Sequence, residues 1–558
     1  MDNYAIAENF ALLGKLMDIH GDNSFKAKSY SSAAFTIDKL TTPLSELPAE
    51  KIFGIRGIGD AIGKKIVEQL ETGQLSLLNE YIAKTPPGII EMMGIKGIGP
   101  KKIATIWKEL EIETLGELLY ACNENRLTLY KGFGEKTQQN IKESIEFYFG
   151  TLGSYLYQQI ESYAVAVDNR LKENFPGEQF ILTGEFRRQL EIINTLSWVT
   201  TLPMDMLKDF FTRNEFMVVS ESGDEISFKG KENVTMGFYC TNPASIVAKL
   251  FVTSASDTFL EAWQTATQWN ASAAYADEEA IFAAVNLAFI PAYQREKASV
   301  IDMARANNLP TPIQPADITG IIHCHSNWSD GVHTLEQMAV AAKDKGLEYL
   351  VISDHSKTAF YANGLQEDRI RAQQQQVDEL NAKLAPFKIF KSIESDILND
   401  GSLDYSPEVL STFDLVIASV HSNLKMNEEK AMMRLMNAIE NPYTSILGHM
   451  TGRLLLSRNG YPVDHKRIIE ACAANQVVIE LNAHPRRLDI DWRWIDYALE
   501  KGVLISIDPD AHAIDGFDDC RYGVLVAQKA GVSKEQNLSS YSLSDFETFV
   551  ARQKSKRL

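Results

Sequence analysis

From Gly320 onward, short apolar stretches alternate with segments whose apolar residues fall three and four apart. The strand candidates are GIIHCH, YLVISDH, IFKSIESD, LVIASVH, SILGH, VVIELNA and VLISIDPDAH, with helical segments such as TLEQMAVAAKDKG and DHKRIIEACAANQ between them. Continuous Ile, Val and Leu runs offer no polar face, so such strands are covered on both sides, and their alternation with amphipathic helices predicts a parallel α/β sheet. Seven units favour a closed or nearly closed (β/α)7 barrel over an open sheet. Residues 1–150 read differently, as short helices joined by Gly-containing turns. There FGIRGIGDAIGKKI (53–66) is echoed by MGIKGIGPKKIATI (93–106) and, more weakly, by YKGFGEKTQQNI (130–141), a repetition that implies one structural unit used again. Residues 151–304 mix helix with short strands and turn signals such as ESGDE and KGKEN, which predicts an α+β domain, and the Pro- and Asn-rich stretch ARANNLPTPIQPADI after it reads as a linker. The expected partition is two helical modules (1–82 and 83–150), the α+β domain (151–304), a linker (305–318) and the barrel (319–558).

With 45% apolar and 23% charged residues in a chain of 558, the composition excludes disorder and a disulfide scaffold. The first residues, MDNYAIAENFALLGK, lack a basic region followed by an apolar core, and no stretch approaches a membrane span. The five cysteines are scattered without paired spacing, as expected where thiols stay reduced. A cytoplasmic protein with no membrane contact is expected. Net charge is −19, so no global basic field draws in nucleic acid, and any DNA contact must be local. Residues 1–150 hold 17 Lys and Arg against 20 Asp and Glu, so the acidity lies mainly downstream.

Nine of the ten histidines lie after residue 320. His323 and His325 end the first strand candidate, two residues apart and so on one face, with Asp330 in the following loop. Asp354 and His355 end the second, Glu394 and Asp396 the third, His421 the fourth and His449 the fifth. Glu480 ends the sixth, and the seventh leads into Asp510 and His512. In an α/β barrel these ends meet at one mouth, where active sites form. A lone histidine is usually a hydrogen-bonded core or surface residue, but independent histidines have no reason to end successive strands. Imidazoles converging with carboxylates suit zinc, manganese or iron. Such a gathering holds too many ligands for one ion and suits two or three that share a carboxylate, an arrangement that acidifies a water and clamps both oxygens of a phosphoryl displacement. His333, His465 and His484 fall off the pattern and are expected at the surface.

The series HCHSNWSDG, SDHS, ESDILNDGSLDY, SVHS, GHMTGRLL, ELNAHPRRLD and DAH resembles the motifs of the polymerase and histidinol phosphatase (PHP) domain, in the version carried by bacterial family X DNA polymerases. The resemblance implies a trinuclear centre: one metal on His323, His325, Glu394 and Asp510, a second on Glu394, His421 and His449, and a third on Asp330, His355 and His512. Glu394, Asp510 and His421 are the expected catalytic residues. Arg453 and Arg487, in loops after the fifth and sixth strands, are candidates for holding substrate phosphate.

Gly57 to Gly59 and Gly97 to Gly99, each followed by lysines (Lys64 and Lys65; Lys101 and Lys102), resemble the helix-hairpin-helix. Glycine allows a tight turn in which backbone N–H groups at a helix start point at a phosphate, which positions a duplex without reading its sequence. Some family X members use a lysine as a Schiff-base nucleophile on abasic sites, and Lys65 stands at the corresponding place.

FILTGEFRRQLEIINTLSWVT (180–200) resembles the nucleotidyltransferase signature of family X. Gly184, Arg187, Arg188 and Glu191 match, but Glu185 replaces a serine, Thr195 and Ser197 stand where two catalytic aspartates belong, and Thr235 stands where the third does. Uncharged side chains cannot hold the two Mg²⁺ of nucleotidyl transfer. The sequence therefore implies a nuclease of the 3′–5′ type, with cleavage at abasic sites as an added activity, acting on gapped, nicked or 3′-end DNA beside a silent polymerase domain. A working gap-filling polymerase with proofreading, a noncatalytic DNA scaffold and a histidinol-phosphatase-like enzyme are the competing readings.

Overall fold

The computed structural model describes residues 2–123, 127–151, 153–231, 233–456 and 459–557, and the chain divides into two compact units, residues 1–152 and 153–558.

The first unit is helical. Asn3–His20 begins where the Asp2 carboxylate accepts the Ala5 N–H at 2.8 Å and ends at Gly21, whose φ of 83° closes the helix. It packs on Ser24–Asp38 through Ile6, Phe10, Leu13, Ala27, Ala33 and Ile37. Two hairpins follow, entering the helices Asp60–Thr72 and Pro100–Lys108 through Gly-Ile-Gly turns. Their backbone bonds repeat: Ile58 N to Ile55 O and Gly63 N to Gly59 O in one, Ile98 N to Ile95 O and Ile103 N to Gly99 O in the other. The weaker third copy has the same pattern, with Phe133 N on Tyr130 O and Gln138 N on Gly134 O, leading into Glu135–Thr151.

The second unit opens with a five-stranded sheet: β1 (Phe180–Thr183), β2 (Thr195–Thr200), β3 (Met217–Ser222), β4 (Glu225–Lys229) and β5 (Thr235–Cys240), in the order β1-β2-β5-β4-β3. Only β2 and β5 run parallel. Trp198, Phe211, Phe228 and Phe238 fill the core beneath them.

Seven parallel strands follow: β6 (Gly320–Cys324), β7 (Tyr349–Ile352), β8 (Lys388–Asp396), β9 (Leu415–Ser419), β10 (Ile446–Leu447), β11 (Val478–Asn482) and β12 (Ile505–Asp508), in chain order across the sheet. A bridge between Cys324 and Ala511 joins the first strand to the loop after the last, so the barrel is nearly closed. The fifth unit contributes two strand residues, Ile446 and Leu447, the two apolar residues of SILGH, and at Gly448 a Cβ would lie 2.3 Å from Ser419 Oγ. The helix Leu543–Ser555 closes the other end of the barrel through Phe546 and Phe549, with Phe546 stacked on Tyr349 at 4.3 Å. That leaves the mouth at the strands' C-terminal ends open for chemistry. Among the described residues no helix is long and apolar enough to cross a membrane.

Candidate metal centre and nucleic-acid interface

Glu394, fully buried near the end of β8, is the hub of the mouth. Its Oε1 lies 3.0 Å from His421 Nε2, 3.0 Å from His449 Nε2 and 3.3 Å from His323 Nε2, and its Oε2 lies 2.9 Å from His355 Nδ1 and 3.7 Å from His325 Nε2. Asp510 meets His325 at 3.0 Å and His323 at 3.4 Å. Asp330 faces His355 at 3.7 Å, His512 at 3.5 Å and His325 at 4.0 Å. All nine sequence-predicted ligands therefore converge. The sets within ligand reach are His323, His325 and Asp510; His355, Glu394 and His421; and His325, Asp330, His355 and His512. His325 and His355 each belong to two sets, whereas the resemblance implied one apiece, and His449 joins through Glu394. The centre grades from a buried end at His323, Glu394 and His449 to an open rim at Asp330 and His512, which are 32% and 41% exposed.

His323 in β6 and His325 just after it share the mouth by a different route from strand alternation. The pairing with β7 slips between Ile321 and Cys324, and His323 has a φ of 59°. Asp510 has a φ of 52°. Two non-glycine candidate ligands thus adopt the left-handed conformation, a local cost of about 1–2 kcal/mol each that concentrates at functional sites.

The residues fit divalent cations. His323 Nε2, His325 Nδ1, His449 Nδ1 and Glu394 Oε2 are buried and make no hydrogen bond; buried polar atoms seldom go unsatisfied. The charges point the same way. Burial resists protonation of His421, but Glu394 and Asp396 outweigh it and push the ring up to about 10. Burial, with the neighbouring rings of His512 and His355, drives His325 down to about 3. Burial opposes the charge on Glu394, yet the imidazoles of His421, His323 and His355 hold it well below the usual carboxylate range. The central carboxylates call for positive charge that crowded imidazoles cannot all supply.

Other strand-end carboxylates, outside the predicted ligand set, orient these rings and their loops. His421 Nδ1 lies 2.5 Å from Asp396 Oδ1, and His323 Nδ1 is bonded to Glu480, whose other oxygen accepts the His449 N–H. A ring whose second nitrogen meets a carboxylate is fixed in tautomer and orientation. Asp354 accepts from the Ser326 and Ser329 N–H and hydroxyl groups and from Gln373, pinning the loop that carries Asp330. The strand-end positions of Asp354, Asp396 and Glu480 were the available signal, but nothing in the spacing separates a ligand from its support.

Arg487 Nε lies 3.6 Å from Asp510 Oδ2, at the mouth. Arg453, expected beside it, donates to the carbonyls of Arg487 and Leu488 and to Asp491, so three of its five N–H groups brace the loop. His333, His465 and His484, expected at the surface, are half-buried; His465 stacks on Trp494, and His484 Nδ1 accepts the Arg486 N–H.

In the hairpins the paired glycines do different jobs. Gly57 and Gly97 have φ of 91° and 89°, which the turn itself requires. Gly59 and Gly99 have ordinary φ of −82° and −86°, and a Cβ at either would touch nothing within 4 Å, so the fold does not demand glycine there. Lys64 and Lys101 are exposed, Lys65 pairs with Glu68 at 2.6 Å, and Lys102 reaches Gly97 O.

In the middle sheet, Thr195 and Thr235 are register partners on β2 and β5, with Ser197 two residues along opposite Gly237. Glu185 accepts the Asn194 and Thr195 N–H groups, and Glu191 accepts from Trp492 and Arg493 of the barrel unit.

A nearly closed seven-stranded barrel with a histidine and carboxylate mouth defines a PHP-type phosphoesterase domain, and a PHP domain family model matches residues 322–484. A helix-hairpin-helix domain matches residues 1–75, and a SAM-like helix-hairpin-helix tandem matches 89–146. The DNA polymerase/3′-5′ exonuclease PolX of Bacillus subtilis is 30% identical over 560 residues, which cover 96% of this chain and 97% of that protein. The chain belongs to the PolX family, the bacterial family X DNA polymerases that carry a PHP domain. The barrel is also similar to probable phosphatases, at 26% identity for one from Caldanaerobacter subterraneus subsp. tengcongensis (40% of this chain, 87% of that protein) and 27% for YcdX of Escherichia coli (36% and 82%).

Proposed function

We propose that the hairpins of residues 1–82 and 83–150 hold gapped, nicked or 3′-end DNA while the barrel, residues 319–558, hydrolyses phosphodiesters from the 3′ end, in a cytoplasmic repair setting. The observation that carries this reading is the convergence of five imidazoles on Glu394 at the mouth. His323, His325, Asp330, His355, Glu394, His421, His449, Asp510 and His512 would hold two or three zinc, manganese or iron ions, which would supply Lewis acidity and lower the pKa of a water. Within this chain, Glu394 and Asp510 set the central charge, Asp396 and Glu480 fix the tautomers of His421 and His323, and Arg487 meets the phosphate. Gly59 and Gly99 leave the backbone of each hairpin clear for a strand to approach.

In this reading residues 151–304 no longer transfer nucleotides. Thr195, Ser197 and Thr235 lie together yet carry no charge, and the nearest alternative acids, Glu185 and Glu191, are engaged in other bonds. The name of the Bacillus relative favours a second reading, a working polymerase with a proofreading nuclease. Cleavage at abasic sites belongs to the metal centre, and Lys65, paired with Glu68, is the candidate for any lyase step.

A 5′-labelled primer–template with a one-nucleotide gap separates the readings. With Mn²⁺ we expect shortening that His325→Ala abolishes, and no extension when dNTPs are added with Mg²⁺ or Mn²⁺. Extension that survives His325→Ala would sink the silent-polymerase reading.

A further inference from the structure

Glu191 belongs to the family X motif of the middle domain, yet it is buried against the barrel. Only 8% of it is exposed. Its carboxylate accepts Trp492 Nε1 at 3.1 Å and Arg493 Nη1 at 3.0 Å, and a buried charge depends on such partners. From there the bonds continue to the mouth. Arg493 Nη1 donates to Asp491 Oδ1 at 2.9 Å, Asp491 Oδ2 accepts Arg453 Nη1 at 2.7 Å, and Arg453 Nε donates to Arg487 O at 3.0 Å while its Nη2 donates to Leu488 O. Leu488 is itself held at a φ of 43°. At the end of the chain stands the Arg487 side chain, 3.6 Å from the metal ligand Asp510.

We propose that Glu191 is a positioning residue for the hydrolytic centre: through Arg493, Asp491 and Arg453 it holds the loop that aims Arg487 at the substrate phosphodiester. The inference rests on the nuclease reading above. It also gives the middle domain work that needs no aspartates. Its neighbours share the orientation, since Lys529 of the barrel donates to Arg188 O and Gln294 Nε2 donates to Gln528 O.

The test uses the full-length protein, with Arg521→Ala as a control that cuts another bond across the same junction, to Glu161. Arg487→Ala should raise KM for the gapped substrate about ten- to hundredfold, the worth of one charge-assisted hydrogen bond. Glu191→Ala should raise KM in the same direction with kcat nearly unchanged, and Glu191→Gln, whose single acceptor oxygen can hold the Arg493 bond but not the Trp492 bond as well, should restore it in part. Because both act through one guanidinium, Glu191→Ala combined with Arg487→Ala should add nothing to Arg487→Ala alone. Hydrogen–deuterium exchange reads the brace without any turnover: amides of 484–491 should exchange faster in Glu191→Ala and not in Arg521→Ala. Unchanged exchange in that loop, or additive losses in the double variant, would overturn the proposal. A wild-type protein that leaves DNA intact would refute the nuclease reading, while the exchange experiment would still decide the brace.

Discussion

At the level of single residues, the two glycines of each hairpin separate fold from function. Gly57→Ala forces a side chain into the left-handed region, at about 1–2 kcal/mol, and adds a Cβ 3.3 Å from Thr36 Oγ1. Gly59→Ala meets open space at an ordinary φ, and alanine there restricts the unfolded chain, a gain of about 0.4–1 kcal/mol. We expect Gly57→Ala to lower the unfolding temperature and Gly59→Ala to hold or raise it while weakening DNA binding; calorimetry beside fluorescence anisotropy checks both. Equal weakening of stability by both substitutions would refute the division of labour. The same scale applies at the mouth, where Asp396→Asn keeps the size of the group but takes away the negative charge facing His421 Nδ1. We expect about a 10- to 100-fold loss of metal affinity, read by competition with a chelating dye, with the nine ligands intact.

Among the elements, the strands locate the chemistry and the loops tune it. The ligand pattern was legible because a His, Asp or Glu stands at or within a few residues of the C-terminal end of each barrel strand, and parallel strands must deliver those ends to one side. The slip in β6 was not legible: His323 and His325 reach the mouth through a left-handed residue and a register shift, where simple alternation would have placed them by period two. Nor was the fate of Arg453, which the sequence offers as a phosphate ligand and the folded loop turns into a brace. Because the orphaned nitrogens and the carboxylate hub lie between several strands, ion binding should stabilise the folded barrel by mass action, about 2.7 kcal/mol at a hundredfold excess over Kd. Treatment with a chelator should lower the unfolding temperature of the wild type, and Mn²⁺ or Zn²⁺ should restore it; His323→Ala should respond less. A melting curve indifferent to metal in the wild type would contradict the site.

For the molecule as a whole, the junction between the middle sheet and the barrel contains a buried lysine. Lys529 is buried, and the loss of water lowers its ammonium to about 8, although Glu296 and Glu191 favour the charge. An unfolded lysine titrates near 10.4, so between about pH 8 and that value the unfolded chain holds the extra proton. Stability from this group therefore rises with pH across that window, and the cost of the buried charge is full below it. We expect Lys529→Met to flatten this part of the stability–pH profile in urea unfolding, an outcome that an exposed lysine would not give.

The sequence by itself indicated the repeated hairpins, the barrel class and a gathering of His, Asp and Glu at the strand ends, because hydrophobic period, repeated turns and strand-end chemistry are local properties that a chain carries in its own order. Only the tertiary structure decided how the ligands share Glu394, which carboxylates hold their second nitrogens, and that Glu191 faces the barrel. These depend on side chains about 10 to 300 residues apart meeting at one point, and on loop conformations such as those at His323, Leu488 and Asp510 that packing imposes against local preference.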